Sequence, residues 1–509
     1  MVQLEADPPS DFSWSGGYFA DEGFWSHNAR NAVLFGNPVQ DEWDARIVSP
    51  VFARIQQILF GFFGAGFTQV RLIGVISSLL IAAASFLLFR SQFDPQSSFF
   101  FSILVSLNYP MMVLGRQGIL DPFAAAICLL ALVLALRGSI LSSFVAGVLL
   151  VVCCVTKYLM IYAAVPFLFI VWNSQKHVPF LTGLGITVLF WFFLNYLPHK
   201  ELLSAYSAYY ASQQSWEIGA VLKNIVLQPF YLYFVKTPAI LCLGNLALWF
   251  WLVRFKTSGK LEKICFLWLL SGILFFALWK YRPFRYYTSL IPPLAAMAGF
   301  MLIQFKDVTD TIRSTKFRVL IYAGILLPAL QLGFVLLDRI AEWNVVPQQL
   351  GIHTMDTVLL IVLSGILVWT LGDSGGRRKY LAWAFVAVFL LSDLRNYLSW
   401  MLKPEYTAVQ ISRDLENRAP HGVLTGQWAP ELCLGNNLRA IPVWQGFVNS
   451  RNPFQRFGIT HILQWKYPLG GEKFEKWYPE DFQNFRFVTK YRIKDSDLIL
   501  YERKREDSK

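Results

Sequence analysis

The chain has 509 residues, 55% of them hydrophobic and only 15% charged, with a mean hydropathy of +0.43. A soluble domain carries about 25% charged residues, so this composition excludes a disordered chain and argues against an ordinary soluble enzyme. The net charge of +12 comes without a nucleic-acid-binding motif, and 18 Trp, 21 Tyr and 44 Phe suit the interfacial belts of a membrane protein, where basic excess marks cytoplasmic loops, head groups or phosphates.

Residues 1–70 are mostly polar or amphipathic, and no apolar span precedes Asp21. Here the adjacent acids Asp21-Glu22 run into an amphipathic helix whose Phe24, Ala32 and Phe35 are placed to lie on the membrane surface. From Arg71 onward twelve apolar runs follow: 71–89, 98–115, 120–136, 140–155, 158–172, 178–197, 230–253, 264–279, 287–303, 319–337, 357–371 and 380–401. Each is close to the length that crosses hydrocarbon. With residues 1–70 outside, the inner loops carry Arg90, Arg137, Lys176, Arg254/Lys256/Lys260/Lys263, Lys306/Arg313/Lys316/Arg318 and Arg377/Arg378/Lys379. That bias sets those loops in the cytoplasm. An even number of spans then returns the tail to the outside.

The tail changes character. Short apolar runs at 422–426, 459–465 and 497–501 alternate with helical stretches at 408–418 and 452–458, the pattern of a small α/β domain. The expected fold is an all-α polytopic membrane protein of about twelve transmembrane helices with a small C-terminal α/β domain. Its parts are an outer loop with amphipathic juxtamembrane helices (1–70), a transmembrane domain (71–403) and an extracytoplasmic domain (404–509).

Of the six cysteines, five lie inside apolar runs and Cys433 stands alone, as small buried hydrophobes do. There is no CxxC, HExxH, Walker A or GxGxxG pattern, so the motifs imply neither a metal nor a nucleotide or other cofactor.

Three constellations could carry chemistry. The pair Asp21-Glu22 suits general-base work, each acid being tuned by the other's charge; the competing reading is the acidic first turn of a solvated helix. Arg116 and Asp121 lie in a turn between two spans, where ionisable groups are costly; the competing reading is a pair that staples two helix ends. Lys280, Arg282 and Arg285 stand among Tyr281, Tyr286 and Tyr287 on the outer side, against the charge bias. A phosphate partner explains them, since Arg recognises it bidentately, and lipid head groups are the alternative. Lys157 after Thr156 and Lys236 before Pro238 are further outer cations, each also able to snorkel. His27 reads as a surface helix histidine, the acidic stretch 41–44 as a solvated loop, and His353 with Asp356 as a loop at a helix end.

Taken in order, Asp21-Glu22, a segment opening with Pro50, Arg71 heading a span, Arg116…Leu120-Asp121, Thr156-Lys157, Pro229…Tyr231, and Arg285-Tyr286-Tyr287 with Pro292-Pro293 form a familiar series. Over about residues 18–303 the chain resembles the GT-C membrane glycosyltransferases, and within them the dolichyl-phosphate-mannose-protein mannosyltransferase and aminoarabinose transferase group. The resemblance implies an inverting transferase. It would move a sugar from a polyprenyl-phosphate donor to a hydroxyl acceptor on protein, lipid or glycan, at the outer face of the plasma membrane. Asp21, with Glu22, would be the base or acceptor-positioning carboxylate and Asp121 would assist, while Arg116, Lys157, Lys280, Arg282 and Arg285 hold the lipid phosphate.

Two departures stand out. The resemblance implies a span before the Asp-Glu loop, which would make thirteen. Where the aminoarabinose transferases carry Lys-Pro-Pro this chain reads Ile47-Val48-Ser49-Pro50, so sugar and acceptor stay open. The rival function is a transporter or flippase of a lipid-linked sugar, using the same cations without bond cleavage. Such proteins show repeated halves with matching broken helices, and none is visible. A non-catalytic scaffold would leave Asp21, Glu22 and Asp121 without a role.

Overall fold

The computed structural model describes residues 3–9, 21–174, 177–212, 214, 216–226, 234–279, 283–314, 318–341, 354–371, 378–467, 470–494 and 496–504. Among these, seven helices are long and apolar enough to cross a membrane, including Phe67–Arg90, Leu120–Arg137 and Thr354–Leu371, with three shorter apolar helices at Ile140–Thr156, Tyr158–Trp172 and Ile321–Phe334. The Leu120–Arg137 and Ile291–Ile303 helices are apolar all round and buried on nearly every face, so they form the centre of the bundle. Helices around them leave Leu79, Trp172, Phe190 and Trp383 exposed, as lipid-facing side chains are.

Several expected spans are interrupted, each for a local reason. The run 98–115 divides into Pro95–Ser106 and Tyr109–Leu114, because the Asn108 side chain accepts the Met111 N–H at 3.0 Å and starts a new helix with Pro110 in its first turn. The run 287–303 opens as a 3₁₀ turn, Phe284–Leu290, before Pro292 and Pro293 head the Ile291–Ile303 helix. Elsewhere helices approach unusually closely. A Cβ on Gly147 would lie 2.2 Å from the Phe180 carbonyl, and one on Gly183 would lie 2.2 Å from that of Phe144. These reciprocal glycines bring the Ile140–Thr156 and His177–Trp191 helices into backbone contact.

The C-terminal region forms a sheet whose strands are β1 (Val423–Thr425), β2 (Arg439–Ile441), β3 (His461–Tyr467), β4 (Gly470–Gly471), β5 (Phe485–Ile493) and β6 (Ser496–Arg503). Their order is β2-β1-β3-β6-β5, with β4 added to β3. The β1 pairings to β2 and β3 are parallel, and β3, β6 and β5 are antiparallel.

This region does not stand apart from the rest. Leu415, Leu424, Leu432 and Leu463 share one core with Ala29, Phe60, Phe67 and Val70 from the N-terminal helices. The Asp21–Phe35 helix is therefore enclosed rather than laid on a membrane surface. Its polar residues are spent on protein: Asn28 donates to the carbonyls of Pro38 (2.9 Å) and Trp43 (2.8 Å), and Arg30 to those of Asn436 and Leu438 (both 2.7 Å). Asp7 accepts the first N–H groups of the Thr407–Arg418 helix, from Thr407 at 2.8 Å and Ala408 at 3.3 Å.

Candidate functional site

A cavity of about 840 Å³ lies where the Asp21–Phe35 helix, the membrane helices and the C-terminal region meet. Four charged side chains line it: Asp21, Asp121, Lys157 and Arg285. Asp21 opens its helix, where an unsatisfied N-terminal turn favours a carboxylate. Asp121 sits in the first turn of Leu120–Arg137. Lys157 follows the last turn of Ile140–Thr156, where the backbone turns extended, and its ammonium pairs with Asp121. Arg285 rides on the 3₁₀ turn that Pro283 begins, and its Nε lies 3.1 Å from Asp21 Oδ2. Lys157 and Arg285 both face the Tyr286 ring, 4.5 and 5.3 Å from its centre. Each of the four charges feels the others, and two carboxylates balance two cations.

The remaining predicted site residues are elsewhere. Glu22 is fully buried and outside the cavity: its Oε2 lies 2.7 Å from Arg71 Nη2, and its Oε1 accepts the Gly118 N–H at 2.7 Å. Arg71 also donates to the carbonyls of Leu4 and Ala6, both at 2.8 Å. Gly118 must be glycine here, since a Cβ would lie 2.3 Å from the Val70 carbonyl. Arg116 is not among the cavity residues; it stacks on Trp400 at 4.7 Å and donates to the Gln3 carbonyl at 2.6 Å. Lys280 and Arg282, like Pro229, Tyr231 and His353, lie outside the described residues.

Three lesser expectations need correction. His27 is buried, not superficial, with Nε2 2.7 Å from Asp41 Oδ2. The 41–44 stretch is structural: Asp44 caps the short Ala45–Val48 helix and Trp43 is fully buried. Asp356 belongs to a polar cluster inside the bundle, accepting from Ser392 Oγ at 2.7 Å and Asn396 Nδ2 at 3.1 Å. Among the described residues, no group of three His, Cys, Asp or Glu could hold a metal ion.

Two walls of the cavity were not foreseen. One is aromatic, built by Tyr158, Trp279 and Tyr206, Tyr209 and Tyr210 of the Lys200–Ala211 helix, with Trp428, Trp444 and Trp465 from the C-terminal region. The signal was present as a tyrosine-rich run in a polar stretch. The other wall is apolar, with Leu150, Val151, Cys154 and Leu184, and it reaches Ile161 and Val188, which are 59% and 41% exposed. The cavity thus runs from a charge cluster to the lipid-facing surface. Glu472 supports the roof: its carboxylate accepts the backbone N–H groups of Gln427 and Trp465, both at 2.8 Å. Burial pushes this carboxyl up to about 8.

Residues 48–199 match the family described as dolichyl-phosphate-mannose-protein mannosyltransferase. A comparison with curated protein sequences finds no match. Among solved structures, ArnT from Cupriavidus metallidurans bound to undecaprenyl phosphate is similar, with a TM-score of 0.55 and 15% identity over 94% of this chain and 93% of that one. Its apo state is similar over the same shares, with a TM-score of 0.53 and 15% identity. The structural likeness carries the fold. With the family match, the chain resembles the GT-C group of protein mannosyltransferases and aminoarabinose transferases.

Proposed function

We propose that this protein, a multi-pass membrane glycosyltransferase of GT-C fold, transfers a sugar from a polyprenyl-phosphate donor to a hydroxyl on a protein, lipid or glycan, with inversion, at the non-cytoplasmic face of the plasma membrane. The observation that carries it is the continuity of the cavity: a charge cluster at one end and an apolar wall opening on the lipid-facing surface at the other. A phosphate with a long hydrocarbon tail needs both. The positive-inside bias of the loops read from the sequence supports the outer location.

The chemistry needs few groups. As the acceptor oxygen bonds to C1, the C1–O bond to phosphate breaks and the electron pair leaves with the polyprenyl phosphate. Arg285 and Lys157 stabilise that charge, and Asp21 takes the acceptor proton. Asp121 holds Lys157 in place. Before donor binds, Arg285 is engaged by Asp21. A phosphate arriving at Arg285 competes with that carboxylate and frees it, so the base becomes available only when the donor is present.

Asp21→Asn keeps the shape and removes the basicity, and transfer should fall by roughly 10²–10⁴-fold, the range for a lost general base. Binding of undecaprenyl phosphate should persist. The assay is transfer of radiolabelled sugar from membrane-derived lipid donors to acceptor fractions by purified protein. Near-normal transfer by Asp21→Asn would move the base to Asp121. Wild type that moves lipid-linked sugar across vesicles without any transfer would favour a flippase.

A further inference from the structure

Beside the charge cluster, three hydrogen-bonding groups of the cavity wall have no partner among the described residues: Thr156 Oγ1, Tyr158 Oη and Trp279 Nε1. Thr156 and Trp279 are each only 2% exposed. Burying such groups unpaired is unfavourable, so a wall that keeps three together is one a ligand completes. Around them the rings form a continuous panel. Tyr210 packs against Tyr206 (4.6 Å between centres), Tyr158 (4.8 Å) and Trp279 (6.2 Å). Thr156 and Tyr158 flank Lys157 in sequence, so the panel begins beside the cation assigned to the phosphate.

We propose that this panel is the subsite for the donor's sugar, and that it takes an uncharged ring. The assignment rests on the donor reading above and specifies its substrate class. A pyranose presents C–H groups that meet the negative faces of tyrosine and tryptophan rings, and hydroxyl oxygens that accept from Trp279 Nε1 and Tyr158. The indole N–H is a donor only and cannot serve an ammonium group. Of the nearest carboxylates, Asp121 is paired with Lys157, and Asp21, once the donor's phosphate takes Arg285, serves the acceptor hydroxyl, so neither is left to hold an ammonium group. A uronic acid would need a further cation, and among the described residues every charge lining the cavity belongs to the balanced set of four.

The test is calorimetric titration of the full-length protein in nanodiscs with undecaprenyl phosphate, and with the same lipid bearing glucose, mannose, galactose, glucuronic acid or 4-amino-4-deoxyarabinose. At least one neutral-sugar lipid should bind more tightly than undecaprenyl phosphate. Trp279→Phe keeps a ring and removes the N–H; it should lose roughly 3–10-fold of that gain, the worth of one hydrogen bond. Its affinity for undecaprenyl phosphate should be unchanged, which also shows that the variant is folded. Tyr158→Phe gives the same readout if Trp279→Phe does not fold. A gain that survives in these variants, or one confined to the amino or acidic sugar, overturns the assignment alone. Undecaprenyl phosphate that does not bind wild type overturns the donor reading and this assignment with it.

Discussion

Asp21 and Glu22 differ by one helical step, a rotation of about 100°, and that rotation separates their surroundings. Asp21 faces the cavity and Arg285, whereas Glu22 faces the Phe67–Arg90 helix and the loop at Gly118. Adjacent carboxylates are legible in a sequence, but which one reaches the site depends on helix rotation set by tertiary packing. Arg116 was misleading for a related reason. A cation between two spans reads as functional, yet this one is held by Trp400 and by the Gln3 carbonyl, both far away in sequence. By contrast Asp121 and Lys157 were legible, since each interrupts apolar sequence at a helix end. Glu22 and Arg71 are almost fully buried, and removing one partner of such a pair costs about 3–5 kcal/mol. Glu22→Gln should therefore lower the thermal midpoint, read by intrinsic fluorescence in detergent, while folded protein keeps its affinity for undecaprenyl phosphate. A normal midpoint with lost transfer would instead make Glu22 a participant in the chemistry.

At the level of elements, the twelve apolar runs marked where apolar helices lie, because lipid-facing and buried positions are both apolar, but among the described residues seven helices are long and apolar enough to cross. Their breaks were harder to see, since Asn108 and the Pro292-Pro293 pair act on single hydrogen bonds inside otherwise continuous runs. In the tail, β1, β3 and β6 showed as short apolar runs. Strand β5 did not, because a bulge between Phe487 and Thr489 shifts its alternation and only Phe485 and Ile493, at its two ends, are buried. Glu472 joins the elements that roof the cavity, and its buried carboxyl is pushed up to about 8 from an ordinary value of 4.5. Between those values the folded protein holds a proton that the unfolded chain has released, so stability falls as pH rises from about 4.5 to about 8 and levels above it. Glu472→Gln cannot ionise. Its thermal midpoint should fall less than that of wild type across that window, in melts recorded from pH 5 to 9; parallel curves would show that Glu472 does not titrate there.

For the whole molecule, the shared core of the N-terminal helices and the C-terminal sheet requires both to lie on one side of the membrane. On the proposed orientation, which the positive-inside bias supports, that side is the non-cytoplasmic one. Single cysteines at Asn37 and Glu480 should react with a membrane-impermeant maleimide in intact cells, and one at Thr257, in a basic loop, should react only after lysis. The native cysteines among the described residues are mostly buried and give a low background. Labelling of Thr257→Cys alone in intact cells would invert the orientation. What the sequence could not disclose at this scale is the closure of the cavity by Trp428, Trp444 and Trp465, because nothing local ties a distant strand end to a site begun at Asp21.

The Glu431 carboxylate accepts the Gly23 N–H at 2.6 Å, joining residues 408 positions apart. At synthesis rates of about 5–20 residues per second, roughly 20–80 s separate the appearance of the two groups. Through that interval the helix that carries Asp21 waits without the partner for its first turn, and Arg30 waits without the carbonyls of Asn436 and Leu438. A helix made early is thus among the last to be fixed. A nascent chain halted before the sheet would hold its membrane helices but lack the wall that Trp428, Trp444 and Trp465 give the cavity.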